Sequence, residues 1–529
     1  MSHTAPARRP VVAALGILGL GAAVAGRSAA PAWATPRFGS DPFALGVASG
    51  DPWPDGFVLW TRLAADPLAA DGLGGLGQRR IQVRWEVAED ERFTRVVRRG
   101  TSWATPELGY SVHVELHGLR PRREYHYRFQ TGGVVSPTGR TRTAPAPGDR
   151  VESLRFATAS CQAWQDGLFT AHQHLAAEDL DVVFFLGDYI YEAALNATGG
   201  QRRVPVPEHV RPEPMDLTQY RLRHALHRLD PDLRAAHQAH PWVAVWDDHE
   251  VEDNWAGDRS RVDTEPDQDP AVFRQRRAAA FQAYYEHLPL RLPNRPRGAG
   301  ARLYRSLDFG RLARFNVLDT RLFRSDQACG DGAQTDCADR LSRDRTVLGA
   351  DQEHWLYRRL DSSHAIWNVI PQQMIMAQCD IDPGPAQKYF MDIWDGYTAS
   401  RDRLLTHLAR ARVSNPVVLT GDVHRHFAAE LRSDFDDPDS TTLGVELVCS
   451  SIASGRDGAD LDEHCHTVLD NNPHFRFANA QRGYLVNTMT PQMLRTDFRV
   501  VPYISRPGAG VSTRTTLVTE SGRPGLQPG

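Results

Sequence analysis

The sequence predicts an α/β core preceded by an all-β module, and three observations carry that expectation. From about Phe38 to Pro147 short alternating runs such as IQVRWEVA and YHYRFQTGG are separated by Gly, Pro and Asp, which is the pattern of a β-sandwich. Beyond it, apolar strand runs alternate with amphipathic helical stretches, the pattern of an α/β fold. Most of those runs end in, or just before, a residue able to bind metal or move a proton. At 529 residues the chain exceeds what one core accommodates, so at least two domains are expected. Hydrophobic residues at 41% and charged residues at 24% exclude a multi-span membrane protein and a disordered chain. A net charge of -4 argues against a nucleic-acid partner.

The first 34 residues read as an export signal. Arg8-Arg9 precede an apolar stretch from Val11 to Ala25, and Ala32-Trp33-Ala34 resembles a small-residue cleavage site. The stretch is shorter than the roughly 20 residues a spanning helix needs, so no transmembrane segment is expected in the mature form. Adjacent arginines suggest export of the folded protein by the twin-arginine (Tat) translocase, although Pro10 departs from that motif. The expected location is secreted, periplasmic or cell-wall associated. Cys329 and Cys337 bracket a Gly/Asp-rich loop that could close as a disulfide, with Cys449 and Cys465 a weaker second pair.

The sandwich is expected over 38–147, a catalytic domain over 150–520 and a frayed tail over 521–529. The segment HVELHGLRPRREYHYRF resembles an immunoglobulin or fibronectin-III module. In the second region LRFATAS, DVVFFLGD, WVAVWDD, ARFNVLD, IWNVIPQQM and PVVLTGD are apolar enough to be strands buried on both faces. LTQYRLRHALHRL and AVFRQRRAAAFQAYYEHL read as helices whose aromatics pack the core. Ligands gather beyond the carboxyl ends of strands in such sheets, which places the strand tips in one crevice.

Three tips are rich in metal-binding groups. Asp188, with Tyr191 three residues on, offers a carboxylate and a phenol within one turn. Asp247, Asp248, His249, Glu250, Glu252, Asp253 and Asn254 crowd five acids, an imidazole and an amide behind one apolar strand. So many close carboxylates call for a multivalent cation. Asp422, His424 and His426 share a side if their strand continues with period two. Cys161 stands at a fourth tip, where a cation would favour its thiolate.

The ordered set GDYIY, DDHE and GDVH resembles the metallophosphoesterase series. FATASCQ, FFLGDYIYE, VWDDHEVEDNW, LDTRLFRSDQ, MDIWDGY and LTGDVHRH, led by FALGVASGDP and VLWTRL, are similar to the PhoD-type alkaline phosphatase D family over essentially the whole mature chain. That resemblance implies a core of two packed sheets flanked by helices and hydrolysis of phosphate esters by metal-activated water. It implies Fe3+ held by Cys161, Asp188, Tyr191 and His424, and Ca2+ held by Asp188, Asp248 and Asp422, with Asp247 and Asn254 as further oxygen donors. Acids stand at 248 and 422 where the wider superfamily usually has Asn and its first His, and Gln373, or else Gln372, replaces another His; oxygen suits calcium. His249 is expected to steer phosphate or protonate the leaving alkoxide, while Arg321, His426 and the Asp395-Gly396-Tyr397 turn line the substrate cleft. Monoester, diester and phospholipase-D-like activities all suit such a centre. A non-catalytic protein binding cell-wall glycans through the sandwich is the alternative.

Overall fold

A computed structural model describes residues 37–529, so the expected export signal lies outside the described residues. The fold is mixed α/β with several sheets. All six apolar runs form strands: Leu154–Ala159, Val182–Phe185, Pro241–Ala244, Ala313–Val317, Trp367–Pro371 and Pro416–Thr420. The first three lie side by side and parallel within a ten-stranded sheet. The other three are parallel neighbours in a seven-stranded sheet that continues through Thr442–Val448, His426–Arg432 and Phe475–Asn479.

The two sheets face each other across an aromatic seam. Phe315 stacks on Phe184 at 4.4 Å and meets Phe156 edge-on at 5.3 Å. Because side chains alternate along a strand, the neighbours of these residues point the other way. Phe185 and Trp242 stack at 5.3 Å on the far side of the first sheet, where the helix Pro231–Ala239 brings His237 within 3.8 Å of Trp242. Ile370 and Val418 likewise pack on the far side of the second sheet with Leu356, Leu360, Leu404 and Leu408, from the helices Gly349–Asp361 and Thr398–Arg410. The helix Leu217–Arg228 begins in a reciprocal cap between Asp216 and Gln219, and Pro270–His287 buries Phe273, Phe281 and Tyr284 as expected.

Two expectations are revised. The segment 38–147 does not keep its strands to itself. Val47–Trp53 pairs in parallel with Pro241–Ala244, so that strand, with Gly56–Arg62 and Ser111–Glu115, extends the ten-stranded sheet. Ile81–Ala88, Val96–Ala104, Glu124–Thr131, Val134–Val135 and Gly139–Arg142 form a separate sheet, which shares a core with the extension through Val83, Tyr127 and Phe129 against Phe57, Leu59 and Val112. The final residues do not fray either. Arg523–Pro528 pairs with Ser512–Glu520 as the edge of the large sheet, a position where proline costs no ladder bond.

Candidate metal centre

The chain leaves four residues at three strand tips in conformations that ordinary residues avoid. Cys161 (φ 61°), Asp188 (φ 56°), Asp422 (φ 65°) and His424 (φ 58°) are all left-handed. Each such residue costs of order 1–3 kcal/mol and persists only where its surroundings over-determine it. Here the tips are laced together: Cys161 N–H donates to Gly187 O (3.1 Å), Gln162 N–H to Asp188 O (3.0 Å) and Ala453 N–H to Cys161 O (3.1 Å). Gly187 is required at its place, since its φ is +104° and a Cβ would fall 2.3 Å from Asp247 Cβ and 2.5 Å from Asp247 N.

The turns bring the expected residues into three overlapping groups whose ligand atoms lie within 4.8 Å of one another: Cys161, Asp188 and His424; Asp188, Asp248 and His249; Asp247, Asp248 and Asp422. Tyr191 joins the first group, donating to Asp188 Oδ2 (2.8 Å) with His424 Nε2 also at 2.8 Å. Cys161, Asp188, Asp247 and Asp248 are buried, whereas Tyr191, His249, Asp422 and His424 are half-buried and form the open side. Asp188 Oδ1, Asp247 Oδ2 and Asp248 Oδ1 are buried without a hydrogen-bond partner among the described residues. Acceptors stranded in this way are costly, and cations would satisfy them. The donor set of thiol, phenol, imidazole and carboxylates is therefore suited to metal.

The electrostatics match. Burial, reinforced by Asp188, pushes the Cys161 thiol and the Tyr191 phenol well above their usual ranges. Burial also raises Asp188, and raises Asp247 to about 7 even though Arg321 pulls it down. Burial would raise Asp248 too, but Arg321 and then His249 hold it below the carboxylate range. Burial opposes a charge on His249, yet Glu192 and Asp188 lift it well above an ordinary imidazole. His424 is held down to about 3 by burial and Arg482, which leaves it neutral and fit to ligate.

Arg321 lies inside the acidic group. Its Nε pairs with Asp247, its Nη1 with Asp392 (2.6 Å), and its Nη2 stands 3.5 Å from both Asp248 and Asp422. It is fully buried, so it acts on the carboxylates beneath the cleft rather than lining the cleft. Asn254 gives its N–H to Asp248 Oδ2 (2.8 Å) and its side-chain amide to Asp331 (3.0 Å). His426 does not join the cluster. The strand stops at Thr420, and left-handed Asp422 and His424 turn the chain so that His426 opens the next strand. Its buried ring accepts Ser450 N–H at 3.0 Å and lies 5.5 Å from Phe498. Gln373 is spent on Thr320 and Leu318, and Gln372 on Thr420 and Met374. Asp395 pairs with Arg401 (2.6 Å) and Tyr397 donates to Ser325 O (2.8 Å), both fully buried, so that turn is core rather than cleft. The disulfide Cys329–Cys337 is present, while Cys161, Cys379, Cys449 and Cys465 are free.

The roles of two carboxylates escaped sequence reasoning. Glu192 accepts His249 Nδ1–H (2.7 Å) and Asp253 N–H (2.9 Å). Glu250 accepts N–H bonds from Asp188 (3.0 Å), Tyr189 and Asp247 (2.7 Å), and so joins two tips through one side chain. Both stand inside motifs already singled out, but nothing in the string separates a carboxylate that faces a cation from one that faces the backbone.

The PhoD-like phosphatase family model matches residues 156–498, and the model of the PhoD-like phosphatase N-terminal domain matches residues 28–145. The chain belongs to the PhoD-like phosphatase family. As a member of that family it is a phosphoric ester hydrolase. Alkaline phosphatase D of Bacillus subtilis (strain 168) is 47% identical over 498 residues, which cover 93% of this chain and 83% of the relative. The solved structure of PhoD is 47% identical and superposes with a TM-score of 0.88 over 93% of both chains.

Proposed function

We propose that this PhoD-like phosphatase is an exported alkaline phosphatase that hydrolyses phosphate monoesters and diesters by attack of water. Cys161, Asp188, Tyr191 and His424 would hold Fe3+; Asp188, Asp248 and Asp422 would hold Ca2+, with Asp247 and Asn254 as further oxygen donors. The convergence of four strand tips on overlapping donor groups is the observation that carries this reading. Thiolate, phenolate and imidazole suit iron, and an all-oxygen set suits calcium. When bound, such cations neutralise phosphoryl oxygens and lower the pKa of a coordinated water.

The chain's own groups account for the rest. Glu192 accepts a hydrogen bond from His249 Nδ1–H, which fixes the ring and leaves Nε2 as the nitrogen able to give a proton to the leaving alkoxide. Stacking on Tyr191 at 4.1 Å holds the same ring from its face. Arg321 offsets part of the carboxylate charge and restrains Asp247. A disulfide at Cys329–Cys337 suits an oxidising compartment, and no helix among the described residues is long and apolar enough to cross a membrane.

The test is a side-by-side assay on an aryl monophosphate, an aryl phosphodiester and phosphatidylcholine, with Asp188→Asn as the control. Hydrolysis of the two aryl esters is expected, with a loss of more than about 100-fold in the variant, because several kcal/mol of charge stabilisation leave with the metal. Activity on phosphatidylcholine alone would reassign the substrate. Inactivity on all three would overturn the proposal.

A further inference from the structure

We propose that Glu252, Asp263 and Asp267 form a second, structural cation site of the calcium type, separate from the candidate centre. Their carboxylate oxygens lie within 4.8 Å of one another. The Glu252 side chain is 3% exposed and that of Asp267 fully buried, while Asp263 is exposed and gives a cation its way in.

The observation that points to a ligand is Glu252 Oε2, buried and without a hydrogen bond among the described residues. Its neighbouring cation is Arg276, whose Nη1 stands 3.7 Å away, beyond hydrogen-bond reach. That guanidinium is committed elsewhere: Nη1 to Asp267 Oδ2 (2.9 Å), Nη2 to Glu213 Oε1 (2.6 Å) and Nε to Tyr220 Oη (3.0 Å). One guanidinium thus faces the three carboxylates Glu213, Glu252 and Asp267, while exposed Asp263 accepts Glu265 N–H (2.7 Å) and the Gln268 side-chain amide (2.9 Å).

The hydroxyl donors fall short as well. Ser260 Oγ lies 3.2 Å from Glu252 Oε1, 3.2 Å from Asp267 Oδ1 and 3.1 Å from Arg261 O. A hydroxyl has a single proton, so it satisfies one of the three. Buried oxygens in excess of their donors are what a hard cation completes. Carboxylates and a hydroxyl on a loop that can adjust its spacing favour calcium over the strict octahedron of magnesium. Glu252 N–H also donates to Asp248 O (2.9 Å), so a cation held here fastens the 257–269 loop to the turn that carries Asp248 and Asn254.

The experiment uses the full chain, stripped with a chelating resin and re-equilibrated with excess calcium chloride, and reads calcium per chain by elemental analysis. Limited proteolysis of the 257–269 loop, with and without calcium, is read in parallel. Asp263→Ala alters an exposed side chain and so keeps the fold. It is expected to hold one calcium fewer per chain than the unaltered protein and to lose calcium-dependent protection of the loop. Glu252→Gln is expected to show the same loss. Asp248→Asn is expected to lose phosphatase activity while keeping that protection, which separates this site from the proposed active centre. Unchanged calcium content and protection in Asp263→Ala, or in a folded Glu252→Gln protein, would overturn the proposal.

Discussion

Glu250 shows how a single side chain can set the geometry of a centre without facing it. Its buried carboxylate receives three backbone N–H groups from two tips, and Asp188 is held left-handed within that clasp. In Glu250→Gln an amide NH2 replaces one acceptor oxygen and confronts N–H groups that have no other acceptor. Leaving buried N–H groups without their acceptor costs about 1–3 kcal/mol. The variant should therefore lose about 2–3 kcal/mol in a urea melt and bind less metal. A variant with unchanged midpoint and metal content would show that the clasp is dispensable. The candidate ligands were legible because carboxylates directly behind apolar strands are conspicuous. The role of Arg321, 74 positions from Asp247, was not, because a local pattern carries no register between distant segments.

At the scale of elements, caps and turns decide what periodicity cannot. Period two suggested that Asp422, His424 and His426 share one strand face, yet two left-handed residues end the strand after Thr420. The helix Glu463–Asn471 starts at Asp462, which accepts Cys465 N–H and pairs with Arg425 at 2.7 Å, one residue beyond His424. Burial would raise the Asp462 carboxyl, but the Arg425 hydrogen bond and the cap hold it below its usual range. A depressed folded pKa adds stability above the unfolded value of about 3.9, and that stability is lost as pH falls through the folded value. Asp462→Asn keeps a capping oxygen and removes only the charge. It should melt below the unaltered protein at pH 7, by less than about 1 kcal/mol because solvent screens the pair. The gap should close as pH drops below about 4. A gap independent of pH would assign the effect to packing.

Across the whole molecule, the ten-stranded sheet makes residues 37–147 part of the catalytic architecture. The run Phe57-Val58-Leu59-Trp60 is buried on both faces, the mark of an interior strand that a reading focused on alternation passes over. Trp60 Nε1–H donates to Glu286 O (2.9 Å), Arg228 lies 4.4 Å over the Trp60 ring, and Asp51 pairs with Arg305 at 2.7 Å. Removing residues 37–147 would expose the edge of Pro241–Ala244, a template for aggregation. The shortened chain is expected to aggregate on expression. A soluble, cooperatively folding product would mean that the segment is an appended module after all.

The central claim is that separated strand tips fold together to hold cations. Elemental analysis joined to a visible spectrum, on active protein purified without added metal, tests it most directly. Iron and calcium should both be present, with a visible tyrosinate-to-iron band that vanishes in Tyr191→Phe and fades on reduction. Fully active protein that is colourless and free of both metals would contradict the account.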